Sequence, residues 1–145
     1  MDLLENRIGP ASRLSPNLQF LCADAAQLPF REASFQLVLQ FMLLTSVLDN
    51  PFKQAIAREI ARVLPSGGRL LWYDFAYDNP NNPDVRGIGC AEIKRLFPGW
   101  RIRLRRITVA PPLGRLIGRL SPTVYYALAS MRLLCTHYIG LLEKR

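Results

Sequence analysis

The 145-residue sequence is poor in the residues that form disulfides and bind metal ions. It has three cysteines, Cys22, Cys90 and Cys135, which lie far apart, and a single histidine, His137. An odd number of widely spaced cysteines argues against a disulfide framework and against a zinc site. We therefore expect no metal ion and a reducing, cytoplasmic location.

The sequence also lacks a hydrophobic run long enough to cross a bilayer. The longest charge-free stretch near the C-terminus runs from Leu120 to Met131 and contains a proline, and a spanning helix needs about 20 apolar residues. The first residues are acidic and have no apolar signal-peptide core. Half of the residues are hydrophobic and 21% are charged, which predicts a globular chain of single-domain length.

Acidic residues are scarce in the last third of the chain. Residues 101–145 contain nine Lys or Arg and one acid, Glu143, so they carry the whole net charge of +8. Such a segment can contact a membrane surface or nucleic acid, or can be a solvated edge. Nucleic acid is the weakest of these interpretations, because no aromatic residues are set among the arginines for stacking on bases.

Three apolar runs in the first half predict strands, at Leu18–Cys22, Phe35–Phe41 and Arg69–Phe75. A helix is predicted between the last two runs, with a cap at Asp49 or Asn50 and an end at Pro65 and the following glycines. Its apolar stripe comprises Phe52, Ala55, Ile56, Ile60, Val63 and Leu64. Strand, helix and strand in this order predict a parallel crossover unit.

The second half predicts a short helix at Ala91–Phe97 and then a half-exposed strand in which Trp100, Ile102 and Leu104 alternate with arginines. The doublet Arg105-Arg106 shifts that alternation and predicts a bulge. Two further helices and a last strand are expected: an amphipathic helix bearing Leu113, Leu116, Ile117 and Leu120 opposite Arg115 and Arg119, a helix from Ser121 to Leu134, and a strand from Thr136 to Leu142.

Five short motifs occur in order between Asp2 and Phe75. They are Met1-Asp2-Leu3, Ala23-Asp24-Ala25, Leu28-Pro29-Phe30, Ser34-Phe35 and RVLPSGGRL at residues 62–70. In this order and spacing the sequence resembles the class I S-adenosylmethionine-dependent methyltransferases, in their small-molecule branch. The resemblance implies an α/β fold: a Rossmann-like open, mainly parallel sheet with helices on both faces and an antiparallel last strand.

The resemblance also implies how S-adenosylmethionine would be bound. Asp2 matches the acid that accepts from both ribose hydroxyls, Asp24 the acid that accepts from the adenine amine, and Ala25 the residue that offers its backbone N–H to the ring. Gln40, at a strand end, joins this cofactor-binding set. The alternatives are that Asp24 is a turn cap and that Asp2 belongs to a loose chain end.

Catalysis in such enzymes is mostly alignment of methyl group and acceptor. A base is needed where the acceptor must lose a proton, and Asp74 is the candidate, ahead of Tyr73 and Asp78. The alternative for Asp74 is a capping acid at a strand end. His137, inside a predicted strand, is expected to be packed and non-catalytic.

The sequence departs from the family pattern in three ways. It begins where the second strand of the family ends, so that the first strand and the glycine-rich loop are absent. Gln36 replaces an acid at the head of the fourth strand, and Thr45-Ser46 replaces a His-His pair. Either Met1 is a misplaced start or the chain is a remnant of the fold. We therefore expect a partial, N-terminally truncated methyltransferase domain, with a cofactor-side half at 1–75 and an acceptor-side half at 76–145, that binds cofactor weakly or not at all.

Two functions follow from the resemblance. The first is transfer of a methyl group from S-adenosylmethionine to a small-molecule or lipid-linked acceptor. The second is a non-catalytic remnant of the fold that acts as a binding or scaffold protein. The basic C-terminal half adds possible peripheral contact with the inner membrane face.

Overall fold

The computed structural model describes residues 1–79, 82–109, 123 and 135–145. Helix α1 spans Glu5–Leu14, α2 Asn50–Val63 and α3 Cys90–Leu96. Strand β1 spans Leu37–Phe41, β2 Arg69–Phe75, β3 Arg101–Val109 and β4 Cys135–Glu143. A 3-10 turn at Leu44–Ser46 follows β1. The helices that the sequence predicts around residues 113–120 and 121–134 lie outside the described residues.

The four strands form one sheet in the order β1-β2-β4-β3. Strand β1 pairs with β2 in parallel, and β4 is antiparallel to both β2 and β3. Strands β1, β2 and β3 therefore run in one direction and β4 alone runs in the other. This confirms the parallel crossover unit and the antiparallel last strand.

Helix α2 covers one face of the sheet through most of the stripe that the sequence predicts: Ile56, Ile60, Val63 and Leu64 are buried, whereas Phe52 is 40% exposed. Its start is capped by Asp49, whose side chain accepts from Phe52 N at 2.7 Å. At its other end Lys144 donates to the carbonyl oxygens of Ala61 and Leu64, each at 2.8 Å, and these are carbonyls that no further helical turn can satisfy. The core between α2, α3 and the sheet contains Ile56, Ile60, Leu64, Leu70, Trp72, Ile93, Phe97 and Leu142.

The opposite side of β1 is open in the described part of the chain. Leu37, Leu39 and Phe41 are 48%, 55% and 51% exposed, although Gln40 between them is 2% exposed. One face of β1 is thus packed under α2, and the other presents an apolar surface.

Two predictions of regular structure are wrong. Leu18–Cys22 is not a strand: it makes one isolated bridge, Cys22 with Asp2, and Leu18 and Leu21 are 63% and 38% exposed. No face of this segment is buried, so nothing holds it in a longer ladder.

The bulge predicted at Arg105-Arg106 is also wrong, because these residues pair with Ile139 and Tyr138 in unbroken register. Arg106 stays in the ladder because its guanidinium lies over the rings of Tyr77 and Tyr138, 4.9 and 5.7 Å from their centroids. Such a cation–π contact lets a charged side chain occupy an inward position. Strand β3 departs from regular geometry at Thr108 instead, where φ is +65°.

The centre of the sheet depends on one glycine. Gly140 lies opposite both Trp72 and Leu104, and a Cβ there would overlap the Arg103 carbonyl oxygen and lie 2.9 Å from the Leu104 Cα. We expect Gly140→Ala to lower the free energy of unfolding by about 1–3 kcal/mol, as overpacking does. Urea denaturation measures this change.

Gly89→Ala is the matched control. It lies just before α3 with φ at −74°, and a Cβ there meets nothing within 4 Å, so the substitution should change stability by no more than about a few tenths of a kcal/mol. Equal effects of the two substitutions would show that the β3–β4 contact is loose.

Candidate functional site

The candidate site lies at the edge of the sheet where β1 and β2 end. Asp2 N donates to the Leu21 carbonyl at 3.2 Å and Ala23 N donates to the Asp2 carbonyl at 3.1 Å. Because this bridge between Asp2 and Cys22 is parallel, the segment that follows Asp2 and the segment that follows Cys22 run in the same direction. Asp2 and Asp24 therefore reach the same edge, as the sequence predicts for two neighbouring strand ends.

A cavity of about 230 Å³ joins this edge to β1. Ala25 and Gln40, both predicted site residues, line it together with Met1 and Leu43. Asp2 and Asp24 do not line the cavity; they are the direct chain neighbours of Met1 and Ala25, which do. The lining is almost wholly apolar, which suits a flat heteroaromatic ring with a few polar contacts at its rim.

Asp24 caps a turn, and it uses only one of its two carboxylate oxygens to do so. Its Oδ1 accepts from Ala26 N at 2.8 Å and its carbonyl accepts from Gln27 N at 3.1 Å. Among the residues described, none donates to Asp24 Oδ2. The capping alternative and the ligand-binding interpretation are therefore compatible, because each uses a different oxygen.

Asp2 has a similar arrangement. Its Oδ1 accepts from Leu4 N at 2.9 Å, and its Oδ2 lies 3.8 Å from Arg7 Nη1 in an exposed pair, which is a weak interaction. Asp2 is thus held by local bonds and by its bridge to Cys22.

Asp74 is fully buried at the end of β2 and accepts four hydrogen bonds. Gln40 Nε2 donates to its Oδ2 at 2.6 Å and Thr45 N donates at 3.3 Å. The Thr45 hydroxyl and Phe75 N donate to Oδ1. A side chain that accepts this many hydrogen bonds holds Gln40 and Thr45 in place, so the geometry favours the structural alternative over a base.

Gln40 retains an unused acceptor. Its Oε1 is buried and has no partner among the described residues, although its Nε2 is fixed by Asp74. Buried amide oxygens are rarely left unpaired in native proteins. Gln40 lines the cavity, but this oxygen itself has almost no accessible surface, so a ligand reaches it only if the Gln40 side chain moves.

The other candidates have structural partners. Tyr73 shares a hydrogen bond of 3.3 Å with Thr108 Oγ1, and Asp78 accepts from Gly87 N at 2.9 Å. His137 is 4% exposed and stacks on Tyr73 with ring centroids 5.0 Å apart. The expected packed role of His137 is confirmed.

The structure explains why two of the sequence motifs occur together. Arg62, from the motif after α2, donates to the Phe30 carbonyl at 2.8 Å and to the Leu28 carbonyl at 3.0 Å. Glu59 accepts from Arg62 and from Leu28 N, and the hydrogen bond from Arg62 lowers the pKa of Glu59. The Leu28-Pro29-Phe30 turn is therefore fastened to α2.

Sequence reasoning missed Thr45 as a site residue and missed the buried lysine of α2. Thr45 was noted only as a departure from the family pattern, yet it contacts Asp74 through both its N–H and its hydroxyl. Lys53 is 1% exposed. Its signal was available, because it lies three and seven residues before Ile56 and Ile60, on the buried stripe.

Residues 1–72, just under half of the chain, match the family model for a methyltransferase domain. This match and the fold together support a class I S-adenosylmethionine-dependent methyltransferase. S-adenosylmethionine is the cofactor that this family implies.

The chain is similar in sequence to one curated methyltransferase and in fold to several solved structures. Over 69 residues the chain is 42% identical to the ubiquinone/menaquinone biosynthesis C-methyltransferase UbiE of Hahella chejuensis, a match that covers 48% of this chain and 26% of that protein. The fold matches that of a methyltransferase of Methanosarcina mazei, described as S-adenosylmethionine-dependent, with a TM-score of 0.68 and 16% identity over 99% of this chain and 79% of that one.

The same fold occurs in a protein described as a [4+2]-cyclase, SpnF, with a TM-score of 0.67 and 18% identity over 98% of this chain and 63% of the other. The chain thus spans about a quarter of the curated relative and under two thirds of this solved structure. The methyltransferase fold is therefore compatible with more than one activity.

Within the described ranges, no helix is long and apolar enough to cross a membrane. The same ranges contain no group of three or more His, Cys, Asp or Glu residues that could hold a metal ion.

The burial of His137 predicts how stability depends on pH. Desolvation lowers the pKa of His137, and the nearby charge of Asp74 opposes this only in part. The unfolded chain, with a histidine pKa of about 6.5, binds the proton first as the pH falls. We therefore expect the contribution of His137 to the free energy of unfolding to be fully present above about pH 6.5 and to decrease as the pH falls below that value.

His137→Gln removes the titrating group from the only histidine position in the chain. Its urea-unfolding free energy should vary less than that of the wild type between about pH 6.5 and pH 5. Identical slopes in the two proteins would contradict the burial of a neutral imidazole.

Proposed function

We propose that the chain holds the adenosine end of S-adenosylmethionine at this edge of the sheet, as part of an enzyme that methylates a small-molecule or lipid-linked acceptor. The observation that carries the proposal is the bridge that brings Asp2 and Asp24 to neighbouring segment ends beside one apolar cavity, with Asp24 Oδ2 lacking a partner in the described chain. Carboxylate oxygens beside an apolar cavity fit the donors of a nucleoside.

Each residue of the set would supply one contact. Asp2 would accept from the ribose hydroxyls and Asp24 Oδ2 from the adenine amine, and Gln40 would form part of the cavity wall. Ala25, which is small and partly buried beside the core, would let the ring lie flat and would offer its N–H. When bound, the cofactor supplies a methyl group already activated by its sulfonium.

In this proposal Asp74 is a positioning residue. Its carboxylate is buried and occupied by Gln40 and Thr45, so it would act by fixing the Gln40 side chain against the cavity. Preorganised polar groups of this kind contribute to catalysis because they need no rearrangement during the reaction.

The methyl acceptor is the part of the proposal that the first activity assays address. The name of the Hahella chejuensis relative makes C-methylation of a quinone-type ring precursor the first reaction to assay. The alternative is a non-catalytic remnant of the fold that acts as a binding or scaffold protein, and the fold alone does not exclude it. Methyl transfer from radiolabelled cofactor to a ring precursor would favour the enzyme over the non-catalytic remnant.

The cofactor contact is tested by Asp24→Asn. This change keeps Oδ1 for Ala26 N but replaces the free oxygen with an amide that donates, so it should repel the adenine amine while the turn stays intact. We expect saturation-transfer NMR to detect adenine and ribose protons of S-adenosylmethionine on the wild type, and the variant to lose about 1–3 kcal/mol of binding free energy.

Asp84→Asn is the control, since Asp84 lies in an exposed turn away from the cavity. It should leave binding unchanged. No transfer to adenine protons in the wild type, or equal binding by Asp24→Asn, would overturn the proposed site.

We further propose that the protein contacts an anionic membrane surface through β3 and acts in the cytoplasm at the inner membrane face. Arg101, Arg103 and Arg105 are exposed on one face of β3, and their one nearby acid, Glu143, lies 3.8 Å from Arg101 in a half-exposed pair. Each arginine near an anionic surface adds about 1 kcal/mol.

Replacing all three of these arginines by glutamine should therefore reduce flotation with phosphatidylglycerol vesicles at low salt. The control is a variant in which Arg13, Arg31 and Arg58 are replaced by glutamine. These three arginines are exposed outside β3, and replacing them removes the same amount of charge. Equal losses in both variants would show a general charge effect, and no flotation of the wild type would refute the membrane contact.

A further inference from the structure

A second pocket, of about 170 Å³, lies between the first turn of α2, α3 and the loop that precedes α3. Unlike the cavity beside Gln40, it is lined mainly by polar side chains: Asn50, Lys53 and Gln54 from α2, Arg86 from the loop, and Glu92 and Arg95 from α3. None of these residues belongs to the proposed cofactor site.

The floor of this pocket is a buried ion pair. Lys53 Nζ lies 2.9 Å from Glu92 Oε1, and the Lys53 side chain is 1% exposed. An ammonium group has three donors, and Glu92 is the one acceptor that the described residues give it. A buried lysine with donors to spare favours a further anionic or polar partner in the pocket.

The rim carries two arginines without acidic partners. No carboxylate lies within ion-pair distance of Arg86 or Arg95 in the described ranges. Because Glu92 balances Lys53, the pocket has a net charge of about +2 from these two guanidinium groups.

The backbone that carries Arg86 is held in place. Arg86 N donates to the Thr45 carbonyl and Ile88 N to the Phe75 carbonyl, each at 2.9 Å. Between them, Gly87 packs so closely on the Tyr77 backbone that a Cβ would overlap it. The loop thus presents Arg86 from a fixed position, which is what a preorganised binding site needs.

We propose that this pocket binds a phosphate monoester group. Arginine guanidinium groups bind phosphate oxygens in paired, bidentate contacts, and two of them match the charge of about −1.5 to −2 that a phosphate monoester carries at neutral pH. The volume is several times the roughly 30 Å³ that one water molecule occupies, so it has room for a tetrahedral anion.

The pocket adjoins the end of β2, since Thr45, which bonds Arg86 through its carbonyl, also bonds Asp74. A phosphorylated small molecule and a phospholipid headgroup both offer the required group. The proposal concerns the pocket itself and holds whether or not the chain transfers a methyl group.

The test is a titration of the full chain with phenyl phosphate at constant ionic strength, followed by NMR of the arginine Nε–Hε groups. We expect saturable shifts at Arg86 and Arg95, and about tenfold or greater loss of affinity in Arg86→Gln and in Arg95→Gln. Arg58→Gln, an exposed change elsewhere on α2, should bind as the wild type does. Chloride at the same ionic strength should produce no saturable shift.

Vesicles that contain phosphatidic acid distinguish the two sources of phosphate. Binding that is lost in Arg86→Gln and competed by phenyl phosphate would support a headgroup ligand in this pocket, and binding of phenyl phosphate alone would support a soluble ligand. Absence of saturation by phenyl phosphate, or an equal loss of affinity in Arg58→Gln, would overturn the proposal.

Discussion

The arrangement of the described chain depends on a buried carboxylate at the end of β2. Asp74 has no exposed surface, and burying a charge is costly unless donors surround it. Gln40 from β1 and Thr45 from the 3-10 turn supply those donors. If either donor were removed, Asp74 would lose hydrogen bonds that offset the cost of its burial. These hydrogen bonds therefore fix the positions of β1, the 3-10 turn and β2 relative to one another.

This constraint reaches both pockets. On one side it fixes the amide of Gln40, whose nitrogen bonds Asp74 and whose side chain lines the apolar cavity. On the other side Thr45 accepts from Arg86 N, and so the loop before α3 is placed against the first turn of α2. A side chain that reads in sequence as a possible base thus acts as the structural link between two candidate binding sites.

The elements with a strong local signal could be predicted from the sequence. Helix α2 has its apolar stripe, its Asp49 cap and its proline at the start, and the structure begins it at Asn50. The Leu18–Cys22 prediction failed because an apolar run forms a strand only where a neighbouring strand and a covering face exist. Arg106 was misread because its aromatic partners Tyr77 and Tyr138 come from other elements. The ion pair of Lys53 with Glu92 spans 39 residues, and no local pattern predicts which acid meets which lysine.

The site itself follows from strand direction more than from any one motif. In a sheet whose strands run mostly one way, the loops after those strands meet at a single edge. Gln40 and Asp74, each one residue before the end of its strand, obey this rule. The same fold in a protein described as a [4+2]-cyclase shows that the fold is not tied to one reaction. The proposed ligand contacts therefore depend on polar groups without partners in the described loops, such as Asp24 Oδ2 and the guanidinium groups of Arg86 and Arg95.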